Sequence, residues 1–309
     1  MKMYKKIGIL VILAIGWIES SEAQQDSQYT QYMYNTQTIN PAYAGNRGML
    51  TFNALYRAQW VGLDGAPETL NFSMNTPLGI RGIGFGLSFY SDKIKPSKES
   101  NIAADVSYTV SLSSNLKLSL GVKGGINLLN VDYTELSIYN SSDPHFNNNI
   151  NNRRSPIIGA GFYLHHSDKW YLGVSSPNLL RTRHYDDLVA STVIESTHLY
   201  ATGGYVFDFS DAIKFKPAVL AKYVSGSPMA MEASANFMFN NKFTLGGAYR
   251  WDAGISALAA FSISDQLMIG YAYDFDTSRL GKYHSGSHEI FLRFELITKL
   301  RRNVNPRFF

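Results

Sequence analysis

The chain has no cysteine in its 309 residues. That excludes disulfides, thiolate metal sites and a lipid-modified cysteine anchor. Long apolar runs are also missing. Beyond Ile18, no stretch reaches the roughly 18–20 apolar residues that a transmembrane helix needs. Charge is sparse, at 17%. The net +4 sits at the ends: +1 on residues 1–23 and +4 on residues 298–309, which leaves −1 on residues 24–297. A nearly neutral body has no clustered cations for nucleic acid, so no nucleic-acid partner is expected.

What is present begins with an export signal. Lys2, Lys5 and Lys6 precede the apolar run Ile7–Ile18, and Ser21-Glu22-Ala23 places small residues where a signal peptidase reads. The predicted signal peptide is 1–23, with cleavage before Gln24. A dozen residues at ~1.5 Å each fall well short of a ~30 Å hydrocarbon core, so the run is too short to be an anchor. Aromatic residues are plentiful, with 20 Tyr and 18 Phe beside 25 Gly. That composition fits an all-β membrane protein better than a soluble domain.

The mature chain alternates with period two. Ile102, Val106, Tyr108 and Val110 share one face, and Asp105, Ser107 and Thr109 share the other. The same alternation runs through Leu116–Asn127, Phe243–Trp251 and Leu267–Phe275. These are strands with one apolar and one polar face. Fourteen are predicted, starting near residues 49, 67, 82, 99, 115, 154, 169, 195, 213, 229, 241, 254, 266 and 286. Many reach the length needed to cross a bilayer at a tilt. Connections alternate between tight turns, such as Ser113-Ser114 and Asn240-Asn241, and longer polar loops at 91–99, 132–153, 177–191 and 276–287. Short turns on one rim and long loops on the other is the outer-membrane pattern. The predicted fold is therefore a transmembrane antiparallel β-barrel of about 14 strands over residues 48–297, in the outer membrane and in contact with its lipids. An N-terminal segment, 24–47, lies in the periplasm or the lumen, and a basic tail, 298–309, lies in the periplasm. The even strand count places both ends on the periplasmic side.

Parity assigns Arg57, Asp105, Lys117, Lys123, Arg250, Asp274 and Arg293 to the lumen. Both signs occur and unpaired buried charge is costly, so a lumen filled by side chains, loops or the N-terminal segment is favoured. Lumen-facing Gly84, Gly86, Gly121 and Gly125 allow close approach of such material. The same parity sends Tyr56 and Trp60 to lipid, while Trp170 and Trp251 mark strand ends at the interfaces.

No enzyme is expected, and no catalytic residue, metal site or cofactor is assigned. Gly82-Ile83-Gly84-Phe85-Gly86 lies inside a strand, with no helix to cradle a phosphate. His284 and His288 are four apart, about 13 Å on a strand and too far for one ion. His184, Asp186 and Asp187 read as a solvated loop.

Three ordered blocks carry a family resemblance. The first is QDSQYTQYMYNTQTINPAYAG at Gln25–Gly45. The second runs from Tyr56-Arg57-Ala58-Gln59-Trp60-Val61-Gly62 to Asp64-Gly65-Ala66-Pro67-Glu68-Thr69. The third is Ser287-His288-Glu289-Ile290 with a closing Asn305-Pro306-Arg307-Phe308-Phe309. Together they resemble the PorP/SprF family of type IX secretion membrane proteins. Ser27 and Asn305 depart from the residues common at those places.

The resemblance implies a non-enzymatic outer-membrane barrel that works with other type IX secretion components. Members serve either the secretion core, contacting periplasmic peptidoglycan-binding partners, or the export and surface attachment of one large secreted protein or gliding adhesin. The implied partner-binding candidates in the first block are Gln31, Tyr32, Asn35, Asn40, Pro41, Tyr43 and Gly45. In the second they are Arg57, Gln59, Trp60, Gly62, Gly65 and Pro67. In the tail they are Pro306, Arg307, Phe308 and Phe309. On one reading the first block and the tail form one periplasmic docking surface; on the other, Lys299, Arg301 and Arg302 merely meet lipid headgroup phosphates below the final strand. The competing reading is a porin-like or fatty-acid-type transport barrel, and a soluble exported β-sandwich is a third.

Overall fold

The computed structural model describes residues 30–79, 82–136, 149–167, 169–180, 197–225 and 227–297. The strands, in chain order, are β1 (Leu50–Ala58), β2 (Glu68–Pro77), β3 (Ile83–Ile94), β4 (Ser97–Ser111), β5 (Leu116–Val131), β6 (Ile150–His166), β7 (Trp170–Ser176), β8 (His198–Tyr205), β9 (Phe207–Asp208), β10 (Ile213–Val224), β11 (Ala230–Phe239), β12 (Phe243–Arg250), β13 (Gly254–Ser262), β14 (Leu267–Asp276) and β15 (Ser287–Leu296). Each pairs antiparallel with its neighbour, and β1 pairs with β15 from Leu50↔Leu296 to Ala58↔His288, which closes the ring.

β8 and β9 form one stave. Both pair with β10 in one continuous register, Ala218↔Gly204 and Phe215↔Phe207. The break falls opposite Pro217, which has no N–H to donate to a ladder. The barrel therefore has fourteen staves, and each begins within four residues of its predicted start.

Alternation fixes the two faces. On β5, Leu120, Val122 and Ile126 are more than half exposed on the outside, while Ser119, Lys123 and Asn127 are buried within. An apolar exterior around a polar interior inverts a soluble core and matches a lipid-facing barrel. Turn chemistry is equally local. Ser113, Ser210 and Ser264 each accept, through Oγ, the backbone N–H of the residue three places on, at 3.1 Å in every case. Asn240 and Asn241 take φ of 51° and 55°, the left-handed pair that a two-residue hairpin requires.

Two expectations change. The 91–99 loop is instead a long hairpin, with pairing continuing to Ile94↔Ser97 around Lys95-Pro96. Its polar sequence misled because a strand past the apolar belt has no lipid to face. Trp60 lies beyond the end of β1, at φ 50°, so strand parity no longer governs it. Among the described residues no helix is long and apolar enough to cross a membrane, which leaves crossing by strands untouched.

Candidate functional site: a lumenal strap and its seat

Residues 30–48 run through the inside of the barrel as a strap. It contains three single turns of 3-10 helix: Tyr32–Tyr34, Thr36–Thr38 and Pro41–Tyr43. The sequence dictates this form. Asn and Thr favour local turns over long helices. Asn40 Oδ1 accepts Ala42 N–H at 3.0 Å just ahead of Pro41, a helix start with proline at its first position. The strap's backbone-to-backbone hydrogen bonds are all local, such as Tyr34 N–H to Gln31 O and Asn46 N–H to Tyr43 O.

Side chains hold it instead. Asn35 Nδ2 donates to Asn71 Oδ1 at 2.9 Å, and Ser73 Oγ donates to Asn35 Oδ1 at 2.9 Å. Gln37 Nε2 donates to Asp105 Oδ2 at 2.9 Å while Gln37 Oε1 accepts from Asn75 Nδ2 at 3.0 Å. Asn40 Nδ2 donates to Phe162 O at 2.9 Å. The Ser175 and Ser107 hydroxyls donate to the carbonyls of Ile39 and Ala44 at 2.7 and 2.6 Å. Tyr34 stacks on Phe291 at 4.5 Å, and Tyr43 meets Tyr163 edge-on at 5.3 Å.

Four lumenal glycines form the floor. A Cβ on Gly84 would strike Ala44 O, on Gly86 the Gln37 amide, on Gly121 the Pro41–Ala42 backbone, and on Gly161 Asn40 Oδ1. Gly125 differs: a Cβ there would meet Ile102 and Ala103 of the sheet itself, so its role is in the wall and not under the strap.

The strap descends from the long-loop rim to the short-turn rim. At its upper end the Glu289 carboxylate accepts the Thr30 and Gln31 backbone N–H groups at 3.1 and 2.8 Å. Arg57 bridges Glu289 at 3.1 Å and Asp274 at 2.5 Å, and Thr30 Oγ1 donates to Asp274 Oδ1 at 2.6 Å. At its lower end Arg47 pairs with Glu295 at 2.5 Å. Further ion pairs, Arg250–Glu232 at 2.7 Å and Lys123–Asp105 at 3.4 Å, complete the lumenal network. A cleft of about 660 Å³ opens at the short-turn rim, lined in part by Asn46, Arg47, Lys117 and His165.

Above the upper latch, loop 59–67 is laced to the loop before β15. Trp60 N–H donates to Ser287 Oγ at 3.1 Å, Val61 N–H to Gly286 O at 2.9 Å, and Ser285 N–H to Val61 O at 2.9 Å. Gln59 N–H donates to Pro67 O at 2.9 Å, which closes the loop, and Gly62 and Gly65 supply φ of 104° and 73° within it.

The structure thus joins three blocks that lie far apart in the sequence. Gln31 of the first, Arg57 and Trp60 of the second, and Ser287 and Glu289 of the third meet at one point. It also corrects the shared docking surface. Gln31, Tyr32, Asn35, Asn40, Pro41 and Tyr43 are buried in the lumen, and Gly45 lies against Gly84. Residues 31–43 therefore present no periplasmic face, and only residues 44–48 of the strap reach the cleft at the short-turn rim. The predicted signal peptide, the His184 trio and the tail residues Pro306, Arg307, Phe308 and Phe309 lie outside the described residues. Glu289 and Gln37 lie in the quoted blocks but not among the candidate residues, and Asn75 lies in neither. Glu289 shares the parity of Arg293, and that was the available signal. Among the described residues, no three His, Cys, Asp or Glu side chains converge to hold a metal.

A closed fourteen-stave barrel with an apolar exterior, a polar lumen and an internal strap is a barrel of the outer-membrane type. The chain belongs to the family of type IX secretion system membrane proteins PorP/SprF, whose profile matches residues 21–294. No curated protein matches the chain. Two solved structures similar in fold are the CymD monoaromatic hydrocarbon channel and a TodX monoaromatic hydrocarbon channel mutant. The first has a TM-score of 0.52 and 13% identity, over 91% of this chain and 96% of that one. The second has a TM-score of 0.50 and 10% identity, over 87% and 94%. At such identity the likeness is one of fold.

Proposed function

We propose that the protein is exported by a cleaved signal peptide, resides in the outer membrane, and acts there as a non-enzymatic partner in type IX secretion. Its task is the secretion or surface attachment of a large secreted protein or gliding adhesin. The observation that supports this over solute transport is the strap. A diffusion channel needs an open aqueous path, whereas residues 30–47 occupy this lumen, with Tyr32, Met33, Tyr34 and Ile39 packed in a buried cluster and Gln31, Gln37 and Asn40 buried beside them. Fixed loops on the outer rim, Gln59–Pro67 laced to 285–287, offer a shaped surface to the exported partner. The cleft at the other rim, lined in part by Arg47 and Lys117, offers a surface on which a periplasmic peptidoglycan-binding component would dock, with Pro306–Phe309 as further candidates for that contact.

Deletion of the gene tests this. One or a few surface proteins should vanish from the cell exterior while small-solute permeability stays unchanged. The fold neighbours include channels for monoaromatic hydrocarbons, so loss of small-molecule uptake with normal surface display would favour a transport barrel instead.

A further inference from the structure

The strap is bound as a ligand is bound. It contributes nothing to the strand ladder, its backbone-to-backbone bonds are internal, and its hold on the wall runs through side chains, either its own or those of the wall that grip its amides and carbonyls. The wall in turn is shaped to it. Two features would be costly without the strap. The Asp105 carboxylate and the Asn75 amide face inward and are met by Gln37. The glycine floor leaves a trough that only a close-lying backbone fills.

From this we infer that the lumen wall running from β15 through β1 and β2 to β7 is a peptide-binding groove, occupied in cis by residues 30–47 and able to take the same kind of segment from another exported chain. It rests on the barrel reading and not on the secretion role. The contacts define the ligand class. It is an uncharged peptide coiled in single 3-10 turns, with Asn, Gln and Asn at relative positions 0, 2 and 5, read by Asn71 and Ser73, by Asp105 and Asn75, and by the Phe162 carbonyl. After the last Asn come Pro and a small residue, because the backbone at Pro41–Ala42 lies directly on Gly121. The segment ends in glycine, because Gly45 takes φ 72° with its α-carbon against Gly84. An aromatic ring one position before the first Asn stacks on Phe291.

The cis strap has a large advantage. It runs directly into β1, so its effective concentration is in the millimolar range typical of short tethers, and a free peptide has to overcome that. Exchange therefore needs either a tethered partner or a weakened strap.

The test uses the full-length protein in detergent and a synthetic peptide of residues 30–47 carrying photoreactive benzoylphenylalanine in place of Tyr34. Two chains are compared, wild type and Gln37→Ala/Asn40→Ala. Chymotrypsin cutting after Tyr32, Tyr34 and Tyr43 reports strap release, and heat-modifiable migration reports an intact barrel. In the double variant the strap should become cleavable while the barrel stays folded. The peptide should then label β15 around Phe291 at least ten-fold above wild type. A peptide bearing the same two alanines should lose that labelling. A released strap with no labelling of β15 would overturn the inference, as would equal labelling by the alanine peptide. A strap that stays protease-resistant in the double variant would also overturn it, since Gln37 and Asn40 would then not be what holds the segment. Secretion need not work for any of these outcomes to be read.

Discussion

Arg57 is the residue on which the upper latch turns. It faces two carboxylates, Asp274 and Glu289, and all three are buried. Removing the guanidinium leaves two anions uncompensated. Breaking a buried pair from one side costs about 3–5 kcal/mol. Arg57→Leu should therefore lower unfolding stability in detergent by roughly that amount, while Arg57→Leu combined with Glu289→Gln should recover part of the loss. Urea titration of the three proteins checks this, and an unchanged midpoint for the single variant would show that water screens the latch. Arg57's lumenal position was legible in the sequence, because it shares the parity of Asn53 within an alternating strand. Its partners were not. Parity says which face a residue occupies, and nothing local in Glu289 or Asp274 says which staves close beside β1.

The strand starts were legible for a similar reason. Period two is imposed residue by residue, and serine turns such as Ser113 and Ser264 carry their geometry in three residues. The β3–β4 hairpin escaped because it extends beyond the apolar belt, where alternation loses its contrast. The strap escaped further. The charges on the lumen face offered the N-terminal segment as one possible filler, but its direction through the lumen follows from tertiary partners with no sequence period. Its seat leads to a prediction at this scale. Gly121→Val puts a branched side chain where the Pro41–Ala42 backbone lies, and valine is favoured in strands. The sheet should survive and the strap should leave, so Tyr43 becomes open to chymotrypsin and ion conductance in planar bilayers rises. Wild-type conductance with a protected Tyr43 would mean that the wall yields to the strap.

The whole molecule is a ring with no free edge: β10 pairs with β11, and β15 with β1. A closed barrel has no exposed strand from which unfolding can start. The protein should migrate in detergent gels at a different apparent mass before and after boiling, and recovery in the soluble periplasmic fraction would contradict the barrel reading. Every ladder but one joins neighbours in the chain. The exception joins Leu50 to Leu296, across nearly the whole sequence. Bringing those strands together carries the largest loop-closure entropy in the molecule.

The latch bears on how that seam is made. The strap is covalently continuous with β1, and its Thr30 and Gln31 amides are bound by Glu289 of β15. The first and last staves are thus joined twice, once along their backbones and once through the segment lying between them. Sealing the cylinder and loading its interior become a single event during biogenesis. A chain whose strap is still outside when β15 arrives would close around an empty bore, and the strap would then have to enter through a rim of the finished barrel.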